Sequence, residues 1–271
     1  ADLYKEAKKQ AQLAVSSKGK FTLEIKDDPK YKELAQYLKK DGRLKDIVAA
    51  LNQSIKIPYD IHISITTTGI GPYYLYKDKT IFLDYKLMSI IPLLYDKYHP
   101  LESAQNRHHY INNVNRFFLY HELGHALIDA YKLPVLGQEE DGADALSAVI
   151  SLKYLPQGFQ VMVDAADFFY LFDKVVGVDT SSYWDEHSLN KQRYYRLLCY
   201  GYGQAPKPVE QKIEHYYQGG LKTFLKERAD YCHDEYNTTY DSWMSLLKPY
   251  LNNHRSDPAG SLNPKGGSSP D

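Results

Sequence analysis

His121 and His125 stand four residues apart with Glu122 between them, in the run His121-Glu122-Leu123-Gly124-His125. On a helix that spacing puts two side chains one turn above each other, so both imidazoles can aim a nitrogen at one metal ion. Glu122 then points beside the ion. From there it can take a proton from a water whose acidity the metal has raised and pass it to a leaving amine, which is hydrolytic chemistry. Taken alone, the five residues also fit an ordinary amphipathic helix with two surface histidines.

A catalytic zinc site needs a third protein ligand. Glu139-Glu140-Asp141-Gly142-Ala143-Asp144 opens the next expected helix, after a turn marked by Pro134 and Gly137. Glu140 and Asp144 share one face of it, which can fold back on the histidines. Glu140 would ligate, and Asp144 would hydrogen-bond a ligand imidazole from behind. Glu139 is the nearest competitor for the ligand role. A helix N-terminus attracts acids on its own account, which explains Glu139, Glu140 and Asp141 without a metal. It does not explain Asp144, which sits among Ala143, Ala145, Leu146, Ala148 and Val149. Two imidazoles and one carboxylate around an open position match the habit of catalytic zinc, so one Zn2+ ion is the expected cofactor.

The pairing of H-E-L-G-H with the E-x-x-A-D of Glu140 to Asp144 resembles the glutamate-ligand zinc peptidases, the gluzincins. The runs 134–141 and 184–193, together with Cys199 and Cys232, resemble a bacterial family of metallopeptidases over about residues 73–251. The resemblance implies zinc, a peptidase-like fold, His121, His125 and Glu140 as ligands, and Glu122 as the base. It supplies no substrate. Gly142 stands where that family often has Ala or a bulkier residue, at some cost in helix stability.

Hydrolysis of an amide builds negative charge on the carbonyl oxygen and calls for a donor besides the metal. His187, Arg193, Tyr194 and Tyr195 are the candidates. Asp185, two residues before His187, can orient or charge that imidazole, so His187 is favoured. A plain helix cap over 185–188 is the alternative. His108 and His109 are adjacent and point apart on a helix, and His215, His233 and His254 have no companion at ligand spacing. All five read as surface residues.

The elements that must position these groups follow from hydrophobic periodicity. Helical spacing over 29–51 is divided at Asp41-Gly42. Alternation over 60–66, and the runs 74–76 and 80–85 around Lys77-Asp78-Lys79, predict a small antiparallel sheet. Helices are expected over 102–131, 139–154, 158–176, 188–202, 209–217, 221–234 and 235–251. The fold class is therefore α+β, and the resemblance implies that it is metalloprotease-like. Its parts are an N-terminal segment over 1–70, the sheet and zinc-binding helical hairpin over 71–154, a helical lobe over 155–255 and a disordered tail over 256–271. A free strand edge above the zinc could hold an extended peptide.

A net charge of -1, from 33 basic and 34 acidic side chains, gives no reason to expect a nucleic-acid partner. No apolar run approaches a membrane span. The chain opens Ala-Asp-Leu with no basic and apolar leader, as a mature exported product would, and Cys199 and Cys232 could make one bridge. The expected activity is a zinc metallopeptidase acting on a peptide or protein. One rival keeps the chemistry on a non-peptide amide or a single partner protein. The other is a structural zinc protein on a peptidase scaffold, serving partner binding.

Overall fold

The computed structural model describes residues 19–252 except 180–181, 183–184 and 217–221, with side chains 216–226 left aside. The expected tail over 256–271, the first 18 residues and His254 lie outside the described residues. Strand β1 (Phe21–Ile25) is followed by helices α1 (Lys32–Asp41) and α2 (Arg43–Ser54). Gly42 joins the helices at φ 78°, a left-handed conformation open to glycine, and so ends one and starts the next. Strand β2 (Ile61–Thr66) returns parallel to β1, with Phe21 opposite Ile61. The expected hairpin forms from β3 (Tyr73–Leu75) and β4 (Thr80–Asp84), with Tyr74 opposite Ile81.

The sheet order is β1-β2-β4-β3, and only the β3–β4 pair runs antiparallel. The sheet is thus mixed, a correction to the antiparallel expectation. A tight turn forces reversal, whereas the two-helix excursion after β1 is long enough to bring the chain back in the same direction.

Helix α3 (Tyr85–Tyr98) is capped by Asp84, which accepts from the Lys86 N–H at 3.2 Å. Then come α4 (Ala104–Tyr131), α5 (Glu139–Tyr154), α6 (Gly158–Val176), α7 (Asn190–Gln204), α8 (Pro206–Tyr216) and α9 (Lys222–Leu247). The architecture is α+β. Helix α9 is continuous where two helices were expected, because no glycine or proline interrupts 222–247.

Helix α4 is the centre of the molecule, packed by α3, α5, α6 and the strands β3 and β4. Every residue from 117 to 131 is buried. A helix buried all round cannot leave polar side chains unpartnered, so each must be answered from a neighbouring element. Asp129 shows how. It accepts from the hydroxyls of Tyr59 and Tyr74 at 3.2 and 2.8 Å and pairs with Lys79 and Lys132, both at 2.7 Å. The hairpin is thereby tied to the last turn of α4.

Cys199 on α7 and Cys232 on α9 form a disulfide. Its reduction should add the mass of two hydrogens and lower stability by about 2–4 kcal/mol, the usual contribution of a cross-link closing a loop of this order. Intact-mass spectrometry and a denaturant melt with and without reductant check both.

Candidate metal centre

Gly124 brings α4 against α5. A Cβ at this position would stand 3.0 Å from the Ala143 Cα and 3.2 Å from its Cβ, so two small residues set the distance between the helices. That approach carries the acidic start of α5 to the histidines. The His121 Nδ1 lies 2.7 Å from Asp144 Oδ1, and the His125 Nδ1 lies 2.7 Å from Glu139 Oε1. An ionised carboxylate only accepts, so each Nδ1 carries the proton and donates it. In the neutral rings both Nε2 atoms are then left with lone pairs.

Those two Nε2 atoms face each other at 3.3 Å. Glu140 closes the triangle, with Oε2 3.0 Å from His121 Nε2 and Oε1 3.3 Å from His125 Nε2. Two lone pairs and a carboxylate aimed at one point repel one another unless a cation lies between them. The donor set therefore fits a metal ion, and His121, His125 and Glu140 are the residues that could hold it. Glu140, Glu186 and His187 make a second such group that shares Glu140.

Without an ion, protons do that work. Burial depresses the His121 imidazole, but hydrogen bonds to Asp144 and Glu140 outweigh it and raise it to about 9. Burial likewise opposes ionisation of Glu140, yet three surrounding imidazoles hold its carboxyl well below the ordinary range. Burial also disfavours the Asp144 carboxylate, and the charges of Arg193 and His121 more than compensate. Glu122 differs. Burial raises it, and the charges of His121 and His125 only partly offset this.

Asp144 is 1% exposed and bridges His121 to Arg193, whose Nε and Nη2 donate to its two oxygens at 2.8 and 2.7 Å. Arg193 is thus committed to orienting Asp144, and its guanidinium lies 4.0 Å over the Phe169 ring. Removing it would strand a buried carboxylate. Arg193→Ala should cost about 3–5 kcal/mol in a denaturant melt and about 10- to 100-fold in metal affinity, with Arg193→Lys restoring only part because a point charge cannot make the paired contact.

His187 comes from the segment before α7. Its Nε2 lies 2.9 Å from Glu140 Oε2, its Nδ1 lies 3.0 Å from Asp185 Oδ1, and Asp185 also accepts its backbone N–H at 2.8 Å. Burial lowers the imidazole, and Glu140 raises it by more. Tyr194 is buried between Tyr170 and Tyr195, and neither Tyr194 nor Tyr195 lines the cavity beside the histidines. His108 and His109 are exposed. His215 pairs with Glu102, and His233 contacts the Gly203 carbonyl at 2.9 Å.

A cavity of about 360 Å³ opens on the His121 and Glu122 side, between α4, α6 and the segment before α7. A wider depression of about 460 Å³ opens on the other side, over His125, Glu139 and Tyr76. The donor set thus sits at the divide of a cleft with room on both flanks. Several contributors were not anticipated. Tyr76 donates to Glu139, and Asp141 accepts from the Ser188 hydroxyl at 2.7 Å and pairs with Arg196. Arg193 shares a face of α7 with the apolar Leu197 and Tyr200, a signal that its charge must meet a buried acid.

A family described as "Putative metallopeptidase" matches the chain over residues 24–247. No curated protein and no solved structure matches it. The match begins upstream of residue 73, where the resemblance was expected to start, and so spans the sheet, the helical hairpin and most of the lobe. With that span matched, and with His121, His125 and Glu140 converging as a metal-holding group, the chain belongs to this metallopeptidase family.

Proposed function

We propose that the protein is a zinc-dependent peptidase in which Glu122 is the general base. One observation carries this reading: the Nε2 atoms of His121 and His125 and the Glu140 carboxylate converge while the buried Glu122 lines the adjoining cavity. A bound zinc ion supplies Lewis acidity, which makes a water more acidic and polarises a carbonyl.

The remaining work falls to side chains of the chain. Glu122 accepts the proton of the attacking water on its carboxylate and delivers it to the leaving amine nitrogen. Its burial, which favours the protonated form, makes it a stronger base than an exposed glutamate. Asp144 and Glu139 hold the two ligand imidazoles with their Nε2 lone pairs toward Glu140, and Arg193 holds Asp144. His187, with Nδ1 held by Asp185, is our choice as donor to the developing oxyanion. The room on both flanks supports a chain, rather than a small amide, as substrate.

The test is a mixed peptide library offered to the zinc-loaded protein. Cleavage that disappears in Glu122→Gln supports the reading. Hydrolysis of a non-peptide amide alone, also lost in Glu122→Gln, would remove the peptide from it. The nearness of His187 to Glu140 favours one rival, a zinc closed by four protein ligands. X-ray absorption on the zinc form separates them, since three protein ligands and a water leave catalysis open and four do not. The Cys199–Cys232 bridge supports an oxidising compartment, and we infer that the protein works outside the cytosol.

A further inference from the structure

The cavity beside Glu122 contains a charge that the proposed chemistry does not use. Leu87, Phe118, Phe168, Phe169 and Phe172 wall it, and His121 and Glu122 stand at its metal end. Asp173, one helical turn beyond Phe169 on α6, also lines it. Asp173 is 6% exposed, and its Oδ1 is buried with no hydrogen-bond partner among the described residues. Among the described residues its other oxygen meets Lys191 alone, at 3.4 Å, whose side chain is 63% exposed and lies beyond ideal hydrogen-bond distance. A buried carboxylate oxygen left without a donor is costly, and such groups call for an explanation.

Neighbouring cations among the described residues do not supply one. Arg193 spends its paired contact on Asp144. Lys174 lies over the Tyr170 and Tyr98 rings, at 4.3 and 5.5 Å. Asp185 lines the same cavity and adds negative charge. Aromatic walls leading to an under-partnered carboxylate suit an apolar stem that ends in a cation. The stem packs on the phenylalanines, the cation gains from their ring faces, and the head meets Asp173.

We propose that this cavity is a side-chain pocket that selects arginine or lysine in a peptide substrate, with Asp173 as the residue that recognises the charge. The inference rests on the peptidase reading and names the substrate class of the same site. A neutral side chain of equal length leaves Asp173 as it is, and an acidic one is repelled. Lys191 competes weakly for the carboxylate, so its removal sharpens the selection.

The experiment measures binding to the zinc-loaded Glu122→Gln protein, which holds peptides without cutting them. The probes are acetyl-Ala-Ala-X-Ala-Ala-amides in which X is Arg, Lys, norleucine or Glu. Arg and Lys should bind about 10- to 100-fold tighter than norleucine, the range of a charged hydrogen bond made on binding, and Glu weakest. Adding Asp173→Asn should bring the ratio of Arg to norleucine close to one. Adding Lys191→Ala, an exposed change that leaves the core alone, should raise it. A purely structural Asp173 would leave both ratios unmoved.

Equal binding of Arg and norleucine peptides, or no binding of any, overturns the pocket. So does a preference set by a free N-terminus when the same peptides are offered without the acetyl group, which would assign Asp173 to an α-amine. Failure of the peptidase reading appears elsewhere, as an absence of peptide cleavage by the unmodified zinc protein.

Discussion

Zinc-loaded Glu122→Gln is expected to keep its metal at one ion per chain and to lose roughly 10²- to 10⁴-fold in hydrolytic rate, the span attributed to general acid and base groups. The substitution is nearly isosteric, and Glu122 is not among the three residues whose donor atoms converge. It should therefore leave the metal, the fold and peptide binding in place while removing the only step it performs, the proton transfer. Steady-state kinetics and metal analysis on one preparation decide the matter. Loss of metal together with rate would move Glu122 into the ligand set, and an unchanged rate would end its role as base.

The second large effect concerns the ligands. His121→Ala and Glu140→Ala should each abolish stoichiometric zinc binding, because each removes one corner of the triangle. Glu139→Ala should retain the ion with affinity reduced about 10- to 100-fold, as expected of a residue that only orients a ligand, here through the His125 Nδ1 contact at 2.7 Å. Equilibrium dialysis followed by metal analysis reads all three. The reverse pattern would exchange the roles of the two glutamates.

The motif residues were legible because their spacing repeats helix geometry. His121 and His125 share a face, Glu140 and Asp144 share another, and the short link between the helices leaves little freedom in how those faces meet. Asp144 was legible for a further reason, since an acid among alanines must meet a partner. The identity of that partner was not. Arg193 lies 49 residues away in sequence, and no local pattern says which buried cation meets which buried anion. The same limit hid Asp173, whose significance depends on what fails to reach it.

Local pattern located β2, β3 and β4, and the hairpin turn predicted one antiparallel pair correctly. It could not set the direction of β2 against its neighbours, which depends on where α1 and α2 return the chain. Strand β1 went unmarked because five residues of ordinary texture, FTLEI, acquire their meaning from pairing with Ile61 to Ile65. The helix boundaries at 139–154 and 158–176 were readable from periodicity and from Pro156 between them. The division of α9 was over-read, as a change in hydrophobic phase is not a break.

Asp129 gathers two phenols and two ammonium groups onto the last turn of the helix that carries the histidines. Its consequence is mechanical. Strand β3 ends the sheet, and its Tyr74 is fastened to the same carboxylate as the turn that follows His125. A displacement of that edge would therefore have to break the Tyr74 contact or carry the last turn of the helix with it. The edge strand and the metal donors would then shift together as one piece.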